Sequence, residues 1–93
     1  MDDVFSALSD PTRRKILEFL RRGDLSSGDI AARLPIGKPA VSHHLGKLKD
    51  AGLVTTERRG QSIVYSLNTT VFQEVLGWIY GLKRAEGTDE NEN

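Results

Sequence analysis

The sequence predicts a mainly α domain carrying a two-stranded β-wing, and three observations lead there. Apolar residues recur at helical spacing through the first half of the chain, at Ile16, Leu17 and Leu20 and again at Val41, Leu45 and Leu48. Pro35-Ile36-Gly37 interrupts the pattern just before the second set, where the tight turn between two helices belongs. Gly52 then supplies a helix stop, and from Leu53 onward the composition turns to Val and Thr on both sides of Arg58-Arg59-Gly60-Gln61. Helix, tight turn, helix and hairpin in that order make a winged helix-turn-helix.

A short first helix runs from about Asp2 to Leu8, with Val4, Phe5 and Leu8 as its apolar residues. Asp10 caps the second helix and Pro11 takes its first position, where a missing N–H is no loss. Ile16, Leu17 and Leu20 give that helix an inner face, Arg13, Arg14, Arg21 and Arg22 stay outside, and Gly23 ends it. Ser26 followed by Asp29 starts a third helix as a capping-box-like pair, with Asp in the usual Glu or Gln place, and the helix continues through Ile30, Ala31 and Leu34. The final helix begins near Asn68, and its apolar residues Val71, Phe72, Val75, Leu76, Trp78, Ile79, Tyr80 and Leu82 cover roughly 200° of the wheel, about twice the stripe one contact needs. One side of it faces its own domain and the other needs a partner, which predicts a dimer.

The fourth helix holds the candidate site. Val41, Leu45 and Leu48 form a narrow buried stripe, while Ala40, Ser42, His43, Gly46, Lys47 and Asp50 lie on the other side. Small residues let such a helix approach closely, and the hydroxyl, imidazole and ammonium can bond base edges or phosphates in a major groove about 12 Å wide. In the strand after the turn, Ile63, Tyr65 and Leu67 share one face by the period of two. Arg58, Arg59 and Gln61 read either as an ordinary charged turn or as contacts to DNA backbone or minor groove, and their position directly after a reading helix favours the second. Successive strand residues point to opposite faces, so one of the two arginines is expected to reach DNA.

Composition bounds the alternatives. Ninety-three residues make one domain with a thin core, which association can supplement. No cysteine is present, so a disulfide framework, a thiolate zinc site and a thiol nucleophile are all excluded. The formal net charge is 0, but Glu86, Asp89, Glu90 and Glu92 lie in the last nine residues, leaving 13 basic and 9 acidic side chains, a net of +4, in residues 1–84. Polyanion binding depends on where charge sits more than on its total. Residues 1–84 are therefore expected to form the DNA-binding and dimerisation domain and residues 85–93 a disordered acidic tail. Lacking a secretory signal and any run near the roughly 18 apolar residues of a membrane span, the protein is expected in the cytoplasm.

Asp10-Pro11-Thr12-Arg13-Arg14, Ser42-His43-His44-Leu45 and the Arg59-Gly60-Gln61 wing with Tyr65-Ser66-Leu67 together resemble the ArsR family of dimeric bacterial winged-helix repressors. The resemblance spans residues 2 to about 82, and within the family it leans toward metal-independent autorepressors of the SdpR type. It implies that the first and last helices form the dimer seam, through Val4, Phe5, Leu8, Val71, Val75, Trp78, Ile79 and Leu82. It also implies a homodimer on a double-stranded, pseudo-palindromic DNA operator, blocking transcription by occupancy and relieved by a protein partner such as a membrane receptor.

Lys38 and Pro39 stand where the family often has Gln and Ser, so readout through a hydroxyl at Pro39 is lost although the position still borders DNA. A Cys-x-Cys sensor pair of metal-responsive members would map onto Ser26 and Gly28, and the last helix has no imidazole for the alternative site. His43 and His44 are adjacent on a helix and diverge by about 100°, so they do not converge on one ion. His43, near the centre of the presented face, reads as a DNA contact; His44 reads as a hydrogen-bonded structural imidazole and Lys49 as a solvated lysine. No cofactor and no catalytic constellation is expected, since Ser42 and His43 likewise diverge and no glycine-rich phosphate loop is present. The rival reading is a winged-helix protein-interaction module, whose signature would be apolar residues on the outward face of residues 38–50; those positions are polar or small.

Overall fold

The computed structural model describes residues 1–92, with side chains placed through residue 84. In chain order the elements are α1 (Asp2–Leu8), α2 (Pro11–Arg21), β1 (Leu25–Ser26), α3 (Ser27–Ala32), α4 (Lys38–Asp50), β2 (Val54–Arg59), β3 (Ser62–Leu67) and α5 (Thr69–Glu92). The expectation of a disordered tail over residues 85–93 lies outside the fully described residues.

Local chemistry accounts for the boundaries. The Asp10 carboxylate accepts the backbone N–H of Arg13 at 3.0 Å with Pro11 next to it, and Ser26 Oγ accepts the Asp29 N–H at 3.1 Å, so α2 and α3 both start on side-chain caps. The end of α4 closes as a Schellman motif. Gly52 at φ +77° donates to the Lys49 carbonyl and Leu53 to that of Leu48, so two otherwise orphaned carbonyls are satisfied. Asn68 then ties the start of α5 to this corner, its side-chain amide donating to the Gly52 carbonyl at 2.9 Å and its backbone N–H to that of Leu53.

The sheet has three strands in the order β1-β3-β2, which corrects the two-stranded expectation. Leu25 and Ser26 pair antiparallel with Tyr65 and Val64 in the middle of β3. Two residues are too few to show an alternating pattern, so this strand has no signature in the sequence. β2 and β3 pair from Val54 opposite Leu67 to Arg59 opposite Ser62, leaving Gly60 and Gln61 as a two-residue loop. Gly60 takes φ +61° in the first loop position while Gln61 keeps a negative φ, the arrangement a type II′ hairpin uses.

One core joins all the helices. Ile16, Ile30, Leu48 and Leu53 are fully buried, and Val4, Ala7, Leu17, Leu20, Leu34, Val41, Leu45, Val54 and Val75 complete the cluster. Tyr65 and Leu67 pack against it from β3. Burying a Leu or Ile side chain is worth about 1.5–3 kcal/mol, so the stripe Val41, Leu45 and Leu48 is what fixes the rotation of α4 about its own axis.

Candidate nucleic-acid interface

With Val41, Leu45 and Leu48 turned inward, α4 presents Lys38, Pro39, Ala40, Ser42, His43 and Lys47, all exposed. Gly37 caps this helix without a side-chain bond, and Lys38 and Pro39 open its first turn, as the missing proline N–H allows. Nothing apolar and large stands on this face. The ring centroids of His43 and His44 are 5.7 Å apart and their planes meet at 68°, edge to face, so the two imidazoles address different surroundings.

His44 turns back into the protein. Its Nδ1 lies 3.3 Å from Arg13 Nη1 and 3.7 Å from Asp10 Oδ2, and its side chain is only 17% exposed. Arg13 is the residue that the sequence misplaced. Instead of standing in solvent it is half-buried, with Nε donating to the Ala7 carbonyl at 2.8 Å and Nη2 to that of Ser6 at 3.3 Å. Helical periodicity in fact aligns Arg13 with Ile16, Leu17 and Leu20, since positions 13, 16, 17 and 20 share one face, and only its charge argued for solvent; what the sequence does not reveal is that the end of α1 offers carbonyls within its reach. The backbone N–H of Arg13 holds the Asp10 carboxyl below the ordinary carboxylate value, with the charges of His44 and Arg13 acting in the same direction and partial burial opposing them.

A polar cavity of about 450 Å³ lies beside the presented face, lined by Asp3 and Ser6 of α1, Arg13, and His43, Lys47 and Asp50 of α4. The wing leaves directly from the end of α4, since β2 starts two residues after Gly52. At its tip Arg58, Arg59 and Gln61 are exposed. Arg59 is held by Glu57 through Nη2 at 3.0 Å and Nε at 3.3 Å, while Arg58 Nε reaches the Gly60 carbonyl at 3.4 Å. Arg58 therefore carries no carboxylate partner among the described residues, and the two arginines are electrostatically unequal.

A second surface lies on α1 and α5. Phe5, Trp78, Ile79 and Leu82 are all exposed, and the Phe5 and Trp78 rings pack on each other at 5.5 Å. Leu76 and Tyr80 enlarge the patch. The other positions expected in a seam are used within the chain: Val4 and Val75 are buried in its own core, and Leu8 and Val71 pack against that core. Val71, Val75, Trp78 and Leu82 share one face of α5, so what separates them is distance along the helix: through Val75 that face lies on the domain, and from Leu76 to Arg84 every residue is exposed.

Among the described residues no helix is long and apolar enough to cross a membrane, and no group of three or more His, Asp or Glu side chains converges.

The family model for bacterial regulatory proteins of the arsR family matches residues 10–56, which run from the Asp10 cap through α4 into β2. The chain is also 54% identical over 79 residues to the transcriptional repressor SdpR of Bacillus subtilis (strain 168), covering 85% of this chain and 88% of that protein. The chain belongs to the ArsR family. A probable mercury resistance operon repressor of Streptomyces lividans is 43% identical over 63 residues, covering 68% of this chain and 50% of that one. The crystal structure of an ArsR family transcriptional regulator superposes with a TM-score of 0.86 at 27% identity, covering 92% of this chain and 94% of the other. The chain is accordingly a winged helix-turn-helix regulator of transcription and not an enzyme.

Proposed function

We propose that the protein is a homodimeric repressor that binds a pseudo-palindromic operator and blocks transcription by occupying it, its own promoter included. The observation that carries this is the two-sided α4: three buried leucine and valine side chains lock its rotation, and every outward residue is small or polar. Ala40, Ser42, His43 and Lys47 enter the major groove, with Lys38 and Pro39 at its edge. Arg58, Arg59 and Gln61 lie along flanking backbone or minor groove. The exposed patch of Phe5, Leu76, Trp78, Ile79, Tyr80 and Leu82 packs against its copy in the second protomer, because an unpartnered apolar face of this kind is a standing invitation to association.

Relatives in the family include a mercury-resistance repressor, but this chain has no thiol and only two, diverging imidazoles. Following what the resemblance to SdpR-type repressors implies, relief of repression is assigned to a protein partner, of which a membrane receptor is one form, and not to a metal ion. Gel-shift titration with the DNA upstream of the protein's own coding region, against random DNA, tests the reading. Preference for the upstream DNA supports it. Equal affinity for both would favour the alternative, a module that docks another protein through the same face.

A further inference from the structure

Among the described residues, Arg13 alone hydrogen-bonds to both α1 and α4. Its Nε and Nη2 hold the carbonyls of Ala7 and Ser6 at the end of α1, and its Nη1 holds Nδ1 of His44 on α4. Immediately before those two residues, Phe5 packs on Trp78 of α5. His44 in turn directly follows Ser42 and His43 on the presented face. A continuous set of contacts thus runs from the apolar α1 and α5 patch, through one guanidinium, to the helix that faces outward.

We infer that Arg13 is a positioning residue that sets the pose of α4 for operator binding through His44, linking it to the α1 and α5 surface. The inference rests on the operator reading above. A guanidinium suits the task because its planar fork can hold several acceptors in a fixed geometry, which a lysine ammonium at the end of a flexible stem does not reproduce. The contact is also proton-dependent. Nδ1 of His44 accepts from Arg13 only while the imidazole is neutral; once protonated it becomes a donor facing a cation and turns instead to Asp10 Oδ2, 3.7 Å away. The charged groups around His44 are Asp10 and Arg13 from α2 and its cap, and His43 and Lys47 on α4 itself; Asp3 of α1 borders the neighbouring cavity. The link therefore requires a neutral imidazole at position 44.

The test is a double-mutant cycle read by operator affinity, using the DNA upstream of the coding region and random DNA as probes, with sedimentation run in parallel. Arg13→Gln and His44→Ala should each weaken upstream-DNA binding by about tenfold, the weight of one charge-assisted hydrogen bond, and the double variant should be no weaker than the worse single. Dimerisation should stay at the wild-type level. His44→Gln, which keeps an acceptor that does not titrate, should retain more affinity than His44→Ala. Its affinity should also depend less on pH than that of the wild type. Additive losses, an unaffected His44→Ala, or identical pH profiles for wild type and His44→Gln would overturn the coupling. If Arg13→Gln fails to fold, the two His44 variants and their pH profiles still decide. A wild type that binds both DNAs alike would overturn the operator reading and the coupling with it, whereas discrimination with additive losses overturns the coupling alone.

Discussion

Replacing Leu82 with Ala should separate association from folding. Leu82 is 55% exposed in the protomer, whereas Val75, two turns earlier on α5, is 7% exposed and sits in the core. Fully burying a leucine side chain is worth about 1.5–3 kcal/mol, so covering the half that the protomer leaves open is worth about 1 kcal/mol. A two-fold seam contains the residue twice, which makes about 2 kcal/mol per dimer, or roughly a thirtyfold rise in the dissociation constant. Val75→Ala should instead lower the stability of the fold by about 2 kcal/mol through the cavity it leaves. Sedimentation equilibrium over a concentration series gives the first quantity, and urea unfolding at fixed protein concentration gives the second. An unchanged dissociation constant for Leu82→Ala, or a larger effect on association from Val75→Ala, would refute the assignment of Leu82 to the seam and Val75 to the core. So would a wild type that is monomeric at micromolar concentration.

Four further outcomes follow from the described geometry. Ser42→Ala and His43→Ala should lower the ratio of operator to random-DNA affinity, by about 1–3 kcal/mol for each lost base contact, whereas Arg58→Ala should weaken both DNAs alike and reduce the salt slope by about 0.9 per lost phosphate contact; a titration across a salt series distinguishes them. Because Arg59 is held by Glu57, Arg59→Ala should have the smaller effect of the two arginines, and Glu57→Gln should tighten binding to both DNAs. Operator affinity should be the same with added Zn²⁺ and after chelation, and a reproducible tenfold loss on metal addition would sink the metal-independent reading. Asp10 has a depressed carboxyl pKa, so its charged form contributes stability that is fully present above its unfolded value of 3.8 and lost as pH falls through the lower folded value. In urea titrations, wild type should exceed Asp10→Asn near neutral pH and converge with it below that window.

Much of the architecture was legible because it is written in local chemistry. The caps Asp10 and Ser26, Pro11, Pro39 and Gly52 mark helix ends within a residue or so of where they fall. The stripe of Val41, Leu45 and Leu48 gives the orientation of α4, and with it the identity of the presented residues. What stayed hidden depends on contacts between distant segments. Leu25 and Ser26 become a strand only because β3 offers its free edge. Arg13 shares the inner face of α2 with Ile16, Leu17 and Leu20, but the acceptors that let its charge be half-buried there come from the end of α1 and from His44. Val75 joins the core and Leu82 does not, a choice made by how α5 crosses the domain and not by either side chain's hydrophobicity.

The separation of the two faces of α4 also shapes how such a protein can diversify. Lys38, Ala40, Ser42, His43 and Lys47 carry no part of the buried core, and surface substitutions of that kind usually shift stability by no more than about 0.5 kcal/mol. A duplicated copy could therefore drift through many outward-facing residue combinations, acquiring a new target sequence step by step, without passing through an unfolded ancestor. Its inner stripe has no such freedom, since losing the leucine at position 48 would cost about 2–5 kcal/mol. One helix thus holds a mutable text on a fixed spine.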